Sequence, residues 1–285
     1  MKITEAIEAA QKIERVSDQE IAILPVRSEL EISQRFQVGV RSVQEKALEL
    51  EIMPARYLRN YGTAGLEGQK KLLKARVGII GVGGLGGWQV ELLARMGVGE
   101  LVVIDYDVFS DNNLNRQLFS REANLGRSKV DAARERVQAI NGGVAFWGAK
   151  EALTRDNAVQ LLAGCQVICD GLDNLSSRLL LQETASRLKI PLIHGAIGGY
   201  YGQVLTIFPG DPGLENLYPI NQDQIKEQWS EQEMGNPAAT PAMVASWQVQ
   251  ETIKIILGQG EPLRNRLLFF DARQGLIETI NLVAE

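Results

Sequence analysis

Seven polar residues in the segments that follow apolar runs carry the chemistry this chain can do. Asp105 closes LVVID, Asn113, Arg116 and Gln117 stand in NNLNRQ, Lys129 in GRSKV, and Asp173 with Asn174 in DGLDN. Upstream, Gly81, Gly83 and Gly86 of GVGGLGG satisfy GxGxxG, in which the first turn is tight, the second admits a phosphate and the third lets a helix meet a strand. Asp105 lies 24 residues beyond Gly81, near the roughly 20 expected of an acid that grips ribose hydroxyls; Asp107 is the competing acid and reads as a turn residue. The glycines and Asp105 alone serve a nicotinamide oxidoreductase or a silent nucleotide-binding scaffold equally well. Hydride transfer needs no pair of cations beside the phosphates and no further carboxylate, whereas nucleotidyl transfer does. Negative charge builds on the phosphoryl oxygens and on departing pyrophosphate, and Arg, Lys and Mg²⁺ must meet it. Arg116 and Lys129 suit the cationic roles, and Asp173 suits an oxygen ligand of Mg²⁺. Taken singly, each has a plainer reading, as a solvated surface cation or a turn Asp-Asn.

The elements that position these residues alternate. Strands are expected at Arg76–Ile80, Leu101–Asp105, Ala145–Ala149, Val167–Asp170 and Pro191–His194, and helices at Trp88–Met96, Ser128–Ile140, Arg155–Leu162 and Ser177–Leu188. Gly97 and Gly99 end the first of these helices. Such alternation specifies a mostly parallel sheet with helices on both faces. Tyr200–Phe208 pairs antiparallel with Leu267–Asp271 and Leu276–Asn281. Thr240 is placed to cap a helix over Pro241–Leu257, and the polar, proline-flanked tract Asn221–Glu233 reads as a mobile functional connection.

Before this unit, residues 1–55 are expected to form a helical accessory segment, with Ile3, Ala6, Ile7, Ala10 and Ile13 on one helix face. Leu30–Leu48 has the spacing of two helices around a turn at Gly39. This segment carries 7 Lys and Arg against 10 Asp and Glu, where a DNA reader shows a basic face, so packing or dimerisation is expected of it. The whole chain has a net charge of −5 over 285 residues, which argues against general attraction to nucleic acid or anionic membranes. No apolar run approaches the roughly 20 residues of a membrane span, and MKITEAIEAAQKIERVSDQE lacks the apolar centre of a secretion signal, so a cytoplasmic location is expected. Cys165 and Cys169 flank an apolar strand and read as core thiols, and His194, at a strand end, as structural.

Seven segments in order, RYLRN, GVGGLG, DYD with SDNNLNRQ, GRSKV, DGLDN, GAIGGYYGQV and ATPAMVASWQVQETIKIILG, resemble the MoeB/ThiF/HesA family of ubiquitin-activating-type adenylyltransferases over Arg56 to Asn281. The resemblance implies a Rossmann-like, doubly wound α/β domain over residues 56–285, its mostly parallel sheet extended by antiparallel strands. It implies a homodimer in which ATP and Mg²⁺ sit on one protomer and an arginine, here Arg59 with Arg56 beside it, reaches over from the other. Asp105 then matches the ribose acid, Asn113 and Arg116 the phosphate contacts, Lys129 the phosphate lysine and Asp173 the magnesium-linked acid; Gly81, Gly83, Gly84, Gly86, Gln117 and Asn174 complete the ATP site. The implied reaction is adenylation of the C-terminal carboxylate of a ubiquitin-like sulfur carrier ending in Gly-Gly, with release of pyrophosphate. A carboxylic acid of pKa near 4 is already ionised at pH 7, so the step asks for no general base. Gly195–Gln203 and the Pro209–Pro241 tract are the expected partner surface. The alternatives are a small-molecule or tRNA-borne carboxylate, or a silent scaffold. The two CxxC pairs of zinc-bearing members are missing, the first from around Gly213–Gln222, so no structural zinc is expected, and the crossover has no cysteine for a thioester.

Overall fold

The computed structural model describes residues 2–218 and 234–282; the tract read as Asn221–Glu233 lies outside them. The centre is an eight-stranded sheet built from β4 (Arg76–Ile80), β5 (Glu100–Ile104), β6 (Ala145–Ala149), β7 (Val167–Asp170), β8 (Leu192–Gly198), β9 (Tyr201–Ile207), β10 (Arg266–Asp271) and β11 (Leu276–Asn281). Its order is β11-β10-β9-β8-β7-β4-β5-β6. The five strands from β6 to β8 run parallel and β9, β10 and β11 add antiparallel, as the alternation of the sequence requires. Strands β4, β5 and β7 are buried along almost their whole length because helices cover both faces. On one face, α5 (Gly86–Met96), α6 (Lys129–Ile140) and α9 (Ala239–Leu257) pack Val90, Leu93, Val137, Val244 and Ile253 against Ile79, Val103 and Cys169. On the other, α7 (Ala158–Leu162) and α8 (Leu175–Leu188) pack Leu162, Leu181 and Ala185 against Ile80, Ile104 and Ile168.

Several boundaries differ from the sequence expectation for identifiable reasons. Thr240 does not cap α9, which starts at Ala239; its hydroxyl donates to Gly199 O at 2.8 Å and ties the helix to the β8–β9 turn. Only Ala158–Leu162 of the expected Arg155–Leu162 helix is helical, since Asn157 Oδ1 accepts from Thr154 N–H at 2.7 Å and holds a turn there. Gly97 ends α5 in the left-handed region as expected, and a Cβ there would stand 2.5 Å from the Tyr57 ring.

The N-terminal segment corrects the all-helical expectation. α1 (Ile3–Ala10) stops before Ile13, which lies 60% exposed on β1 (Lys12–Val16) of a hairpin with β2 (Gln19–Leu24). Ser17 takes the left-handed turn conformation at φ 52°, a role that no glycine or asparagine announces in the sequence. α2 (Val26–Phe36) and α3 (Val40–Glu49) then form the helix pair, with Gly39 at the start of the second, and β3 (Met53–Pro54) pairs parallel with β2. Arg41 of α3 donates to Gly99 O and Leu73 O, fastening the segment to the sheet domain.

A buried polar cluster completes that junction. Asn141 Nδ2 donates to Tyr57 Oη and to Ala94 O, both at 2.8 Å, while its Oδ1 accepts from Arg56 at 3.2 Å. Arg56 also pairs with the fully buried Glu29, whose carboxyl burial pushes up and Arg56 pulls down; burial pushes the Tyr57 phenol up to about 12. Asn141 Oδ1 also accepts from Gly143 N–H, so removing the amide takes a partner from four groups, which costs about 2–4 kcal/mol. Asn141→Ala is therefore expected to lower the unfolding free energy by that amount, read as a lower denaturant midpoint at unchanged slope; a loss below about 0.5 kcal/mol would mean the cluster contributes nothing to stability.

Candidate active site

A cleft opens at the carboxyl ends of β4 and β7, the point at which the order of the parallel strands reverses and where ligands enter open α/β sheets. Its floor is the glycine turn. Gly81 sits at φ +89°, and a Cβ on it would lie 2.5 Å from Gly171 O; a Cβ on Gly86 would lie 1.7 Å from Gly81 O. Only glycine lets α5 start this close to β4. The Asp105 carboxylate holds the same turn, Oδ2 accepting from Val82 N–H at 2.6 Å and Oδ1 from Asp107 N–H at 2.8 Å. Burial pushes this carboxyl up, and the two N–H groups pull it down. The N–H groups of Gly83, Gly84 and Leu85 have no acceptor among the described residues. Free N–H groups entering a helix form a site for an anion.

Around this floor stand charges from four separate segments. Gly81, Gly83, Gly84, Asp105, Arg116, Gln117, Lys129, Asp173 and Asn174 all line the cleft. Lys129, the first residue of α6, is buried, its ammonium 3.0 Å from Asp107 Oδ2. Asp107 is thus more than the turn residue that its position in the sequence indicates. Arg116 donates to Asn112 O at 2.7 Å and Asn115 Oδ1 at 3.0 Å. Gln117 Oε1 is buried with no hydrogen-bond partner among the described residues, an acceptor left for a donor entering the cleft. Asn174 Oδ1 caps α8 by accepting Ser177 N–H at 2.9 Å, and its Nδ2 donates to Asp173 Oδ1 at 3.1 Å.

Three of the residues singled out from the sequence stand elsewhere. Gly86 lies under the turn rather than in the cleft wall. Asn113 is buried within its own turn, where Oδ1 accepts from Ser110 N–H and Nδ2 donates to Asn112 Oδ1. Arg59 is exposed on the short 3₁₀ turn Ala55–Asn60, outside the cleft wall. His194 is fully buried between Asp170 Oδ2 at 2.8 Å and the Tyr218 hydroxyl at 3.2 Å; burial holds its pKa down, so it stays neutral and structural. Cys165 and Cys169 are buried, and burial pushes their thiols up to about 11 and about 12.

The tertiary structure adds residues that the sequence did not point to. Tyr106 is 68% exposed at the cleft mouth, and its phenol is pushed up first by Asp107, then by burial, Asp173 and Asp105, which places three carboxylates around one ring. Arg178, one turn into α8, is nine-tenths buried and reaches the cleft beside Asp173. An aromatic directly after the ribose acid was the available signal for Tyr106; Arg178 had none, being one of several arginines on polar helical faces.

These groups fit a nucleoside triphosphate. Unpaired N–H groups, the cations Arg116, Lys129 and Arg178 and an orphaned amide oxygen face one space, and the Asp173 carboxylate stands at its edge. Asp173 is exposed, and a Mg²⁺ ion that keeps several waters and shares phosphate oxygens needs only one or two such carboxylates. Among the described residues no group of three or more His, Cys, Asp or Glu is arranged to hold a metal by itself, and no helix is long and apolar enough to cross a membrane.

Known proteins share both sequence and architecture. The chain is 36% identical over 219 residues to the SAMP-activating enzyme E1 of Haloferax volcanii, covering 76% of this chain and 80% of that one. It is 35% identical over 232 residues to the adenylyltransferase and sulfurtransferase MOCS3 of Culex quinquefasciatus, and 37% over 235 residues to the probable adenylyltransferase/sulfurtransferase MoeZ of Mycobacterium tuberculosis; each match covers 80% of this chain. The aligned part spans 52% of MOCS3 and 60% of MoeZ. Among solved structures, E. coli MccB with ATP superposes at a TM-score of 0.68 with 19% identity, covering 96% of this chain and 95% of that one. E. coli tRNA N6-threonylcarbamoyladenosine dehydratase, TcdA, with AMP reaches 0.57 at 23% identity over 69% of this chain and 93% of that one, and at such identities the fold alone is shared. A family model described as the ThiF family matches residues 57–285, the stretch that builds the whole cleft, and with the relatives above it establishes that the chain belongs to the ThiF family.

Proposed function

We propose that this E1-like adenylyltransferase uses ATP and Mg²⁺ to adenylate the C-terminal carboxylate of a ubiquitin-like sulfur carrier ending in Gly-Gly, as a cytoplasmic homodimer. The observation that carries the reading is the convergence of the glycine turn, Asp105, Arg116, Lys129 and Asp173 on one cleft. The names of the Haloferax relative, as activator of SAMP, and of MOCS3, as a sulfurtransferase, support a protein acceptor in a sulfur-transfer setting.

In this reading the N–H groups of Gly83 to Leu85 and the Gln117 amide bind and orient the nucleotide, and Asp105 receives the ribose hydroxyls while holding the turn. The acceptor carboxylate arrives ionised, so no residue must remove a proton. As its oxygen bonds to the α-phosphorus and the bond to pyrophosphate breaks, Arg116 and Lys129 meet the charge gathering on the phosphate oxygens. Lys129 must leave its partner Asp107, and Arg116 its carbonyl Asn112 O, for the triphosphate; both cations are thus held near their working positions beforehand. Bound Mg²⁺, held by Asp173, would offset the charge on pyrophosphate. Asn113 shapes the turn that presents Arg116. Gly195–Gln203 and the flanks of the Pro209–Pro241 tract form the partner surface, since Ile197 of this stretch reaches the cleft wall. Arg59, exposed outside its own cleft, serves the partner protomer.

The test is pyrophosphate exchange into ATP that depends on a carrier protein; its absence with every carrier tried, alongside intact ATP binding, would overturn the reading. Arg116→Ala and Asp173→Ala are each expected to lower exchange roughly 10²–10³-fold with thermal midpoints preserved, because each removes a group that acts on developing charge and neither carries the core. Normal turnover in both variants would remove the proposed site. For the shared arginine, Arg59→Ala and Asp173→Ala protomers are each inactive alone. After unfolding and refolding together, half of the dimers are mixed and each of these has one whole site, which restores about a quarter of the wild-type rate. No recovery, with dimers present, would place Arg59 in its own protomer's function only.

Neither cysteine is poised as a nucleophile, since thiols with pKa values raised to about 11 and about 12 hold almost no thiolate at pH 8. Ellman's reagent is expected to label neither thiol in the native protein and both in denaturant, and a Cys165→Ala, Cys169→Ala variant to keep its exchange rate. Fast labelling in the folded state would reopen a covalent sulfur step.

A further inference from the structure

Arg178 has no role in the steps above, yet it joins the buried side of the sheet to the cleft. It stands on α8, one turn beyond the cap at Asn174, and its side chain is 10% exposed. Its Nη2 donates to Leu172 O at 2.6 Å, and Nε lies 3.4 Å from Asp170 Oδ2. Asp170, the last residue of β7 and itself buried, accepts from Leu172 N–H through Oδ1 at 2.9 Å. Both peptide groups flanking the Leu172 side chain are therefore gripped, the N–H by Asp170 and the carbonyl by Arg178. Asp173 follows immediately, and Asn174 after it is fixed by capping α8.

We infer that the Asp170–Arg178 pair is a clamp whose work is to position Asp173, with Arg178 acting as a positioning residue for the magnesium-linked acid. This rests on the reading of Asp173 given above. Among the described residues Asp173 has one side-chain hydrogen bond, from its neighbour Asn174, and no contact across elements fixes where its carboxylate stands. The position is set by the backbone on either side: the clamp holds residue 172 and the helix cap holds residue 174. A carboxylate misplaced by about 1 Å loses much of its value to an ion that demands near-octahedral geometry. The same guanidinium is 3.4 Å from Gly195 O of β8, so the loop carrying Asp173 is referenced to the strand expected to guide the acceptor. His194 and Leu172 N–H remain as partners of Asp170 when Arg178 is replaced, so the buried carboxylate is not stranded.

The experiment is calorimetric titration of ATP into the full-length protein, without acceptor, in the presence and absence of Mg²⁺. The wild type is expected to bind ATP more tightly with Mg²⁺, and Asp173→Ala to lose that gain. Arg178→Met is expected to lose about tenfold in the Mg²⁺-dependent gain while binding Mg²⁺-free ATP within about twofold of wild type; Arg178→Lys, which keeps one charged donor, is expected to recover roughly half of the loss on a logarithmic scale. A wild-type gain in Arg178→Met, with the gain lost in Asp173→Ala, overturns the clamp and leaves Asp173 in place. A wild-type gain in Asp173→Ala overturns both. Equal weakening of ATP with and without Mg²⁺ in Arg178→Met would show that Arg178 supports the cleft as a whole, and would overturn the specific role. Should the Met variant fail to fold, the Lys variant carries the same comparison at about a threefold loss.

Discussion

The distance between the end of β4 and the start of α5 governs the site. Gly86 packs its Cα against Gly81 O so closely that any side chain would collide with the carbonyl, and Gly81 turns the chain through a conformation that L side chains rarely adopt. This contact brings the first N–H groups of the helix to the rim of the sheet instead of burying them in it, and Asp105 locks the turn from the neighbouring strand. Every other feature of the cleft is placed relative to that rim. β7 ends beside it, so Gly171 meets Gly81 and the loop to Asp173 rises on the opposite bank.

Beneath the turn lies a polar seam that an apolar core would not tolerate unpaired. Gln89 of α5 and Gln248 of α9 both donate to Asp170 O, at 3.0 and 2.8 Å, and Gln89 also donates to Gln248 Oε1. Gln248 reaches Ile193 O at 3.1 Å as well. The Asp170 carbonyl at the end of β7 and the Ile193 carbonyl near the start of β8 thus accept from buried side-chain amides, and the two helices are fixed to the strands that lead into the loops of the site. Above the seam, Asp170 spends its carboxylate on His194, Leu172 and Arg178. One residue's backbone and side chain thus connect the two helices, the lone histidine and the loop that carries Asp173.

How much of this could be read beforehand depended on whether the cause was local. Strands β4, β5 and β7 and the glycine turn were legible because a buried parallel strand is a continuous apolar run and a GxGxxG turn constrains neighbours in sequence. Residues 12–24 are illegible because Ile13 continues the spacing of a helix face, while the hairpin that claims it turns at Ser17 and Asp18 without the glycine or asparagine that favours the left-handed region. Thr240 looked like a cap, but a hydroxyl beside a helix start takes whichever partner lies nearer, and Gly199 O arrives from 41 residues away. Asn113 was legible as part of a loop and illegible as the brace of that loop.

The sequence by itself determined the class of fold, the glycine turn, the family and the set of polar types available to the cleft, because each follows from periodicity, short spacing or ordered motifs. Only the tertiary structure decided which cations are held in waiting and by what, that Asp107 is the partner of Lys129, that Asn113 and Arg59 stand away from the cleft wall, and that Arg178 grips the loop of Asp173. Those outcomes are settled by which side chains meet across elements far apart in the chain, and hydrogen bonds between such elements leave no period or spacing in the sequence to read.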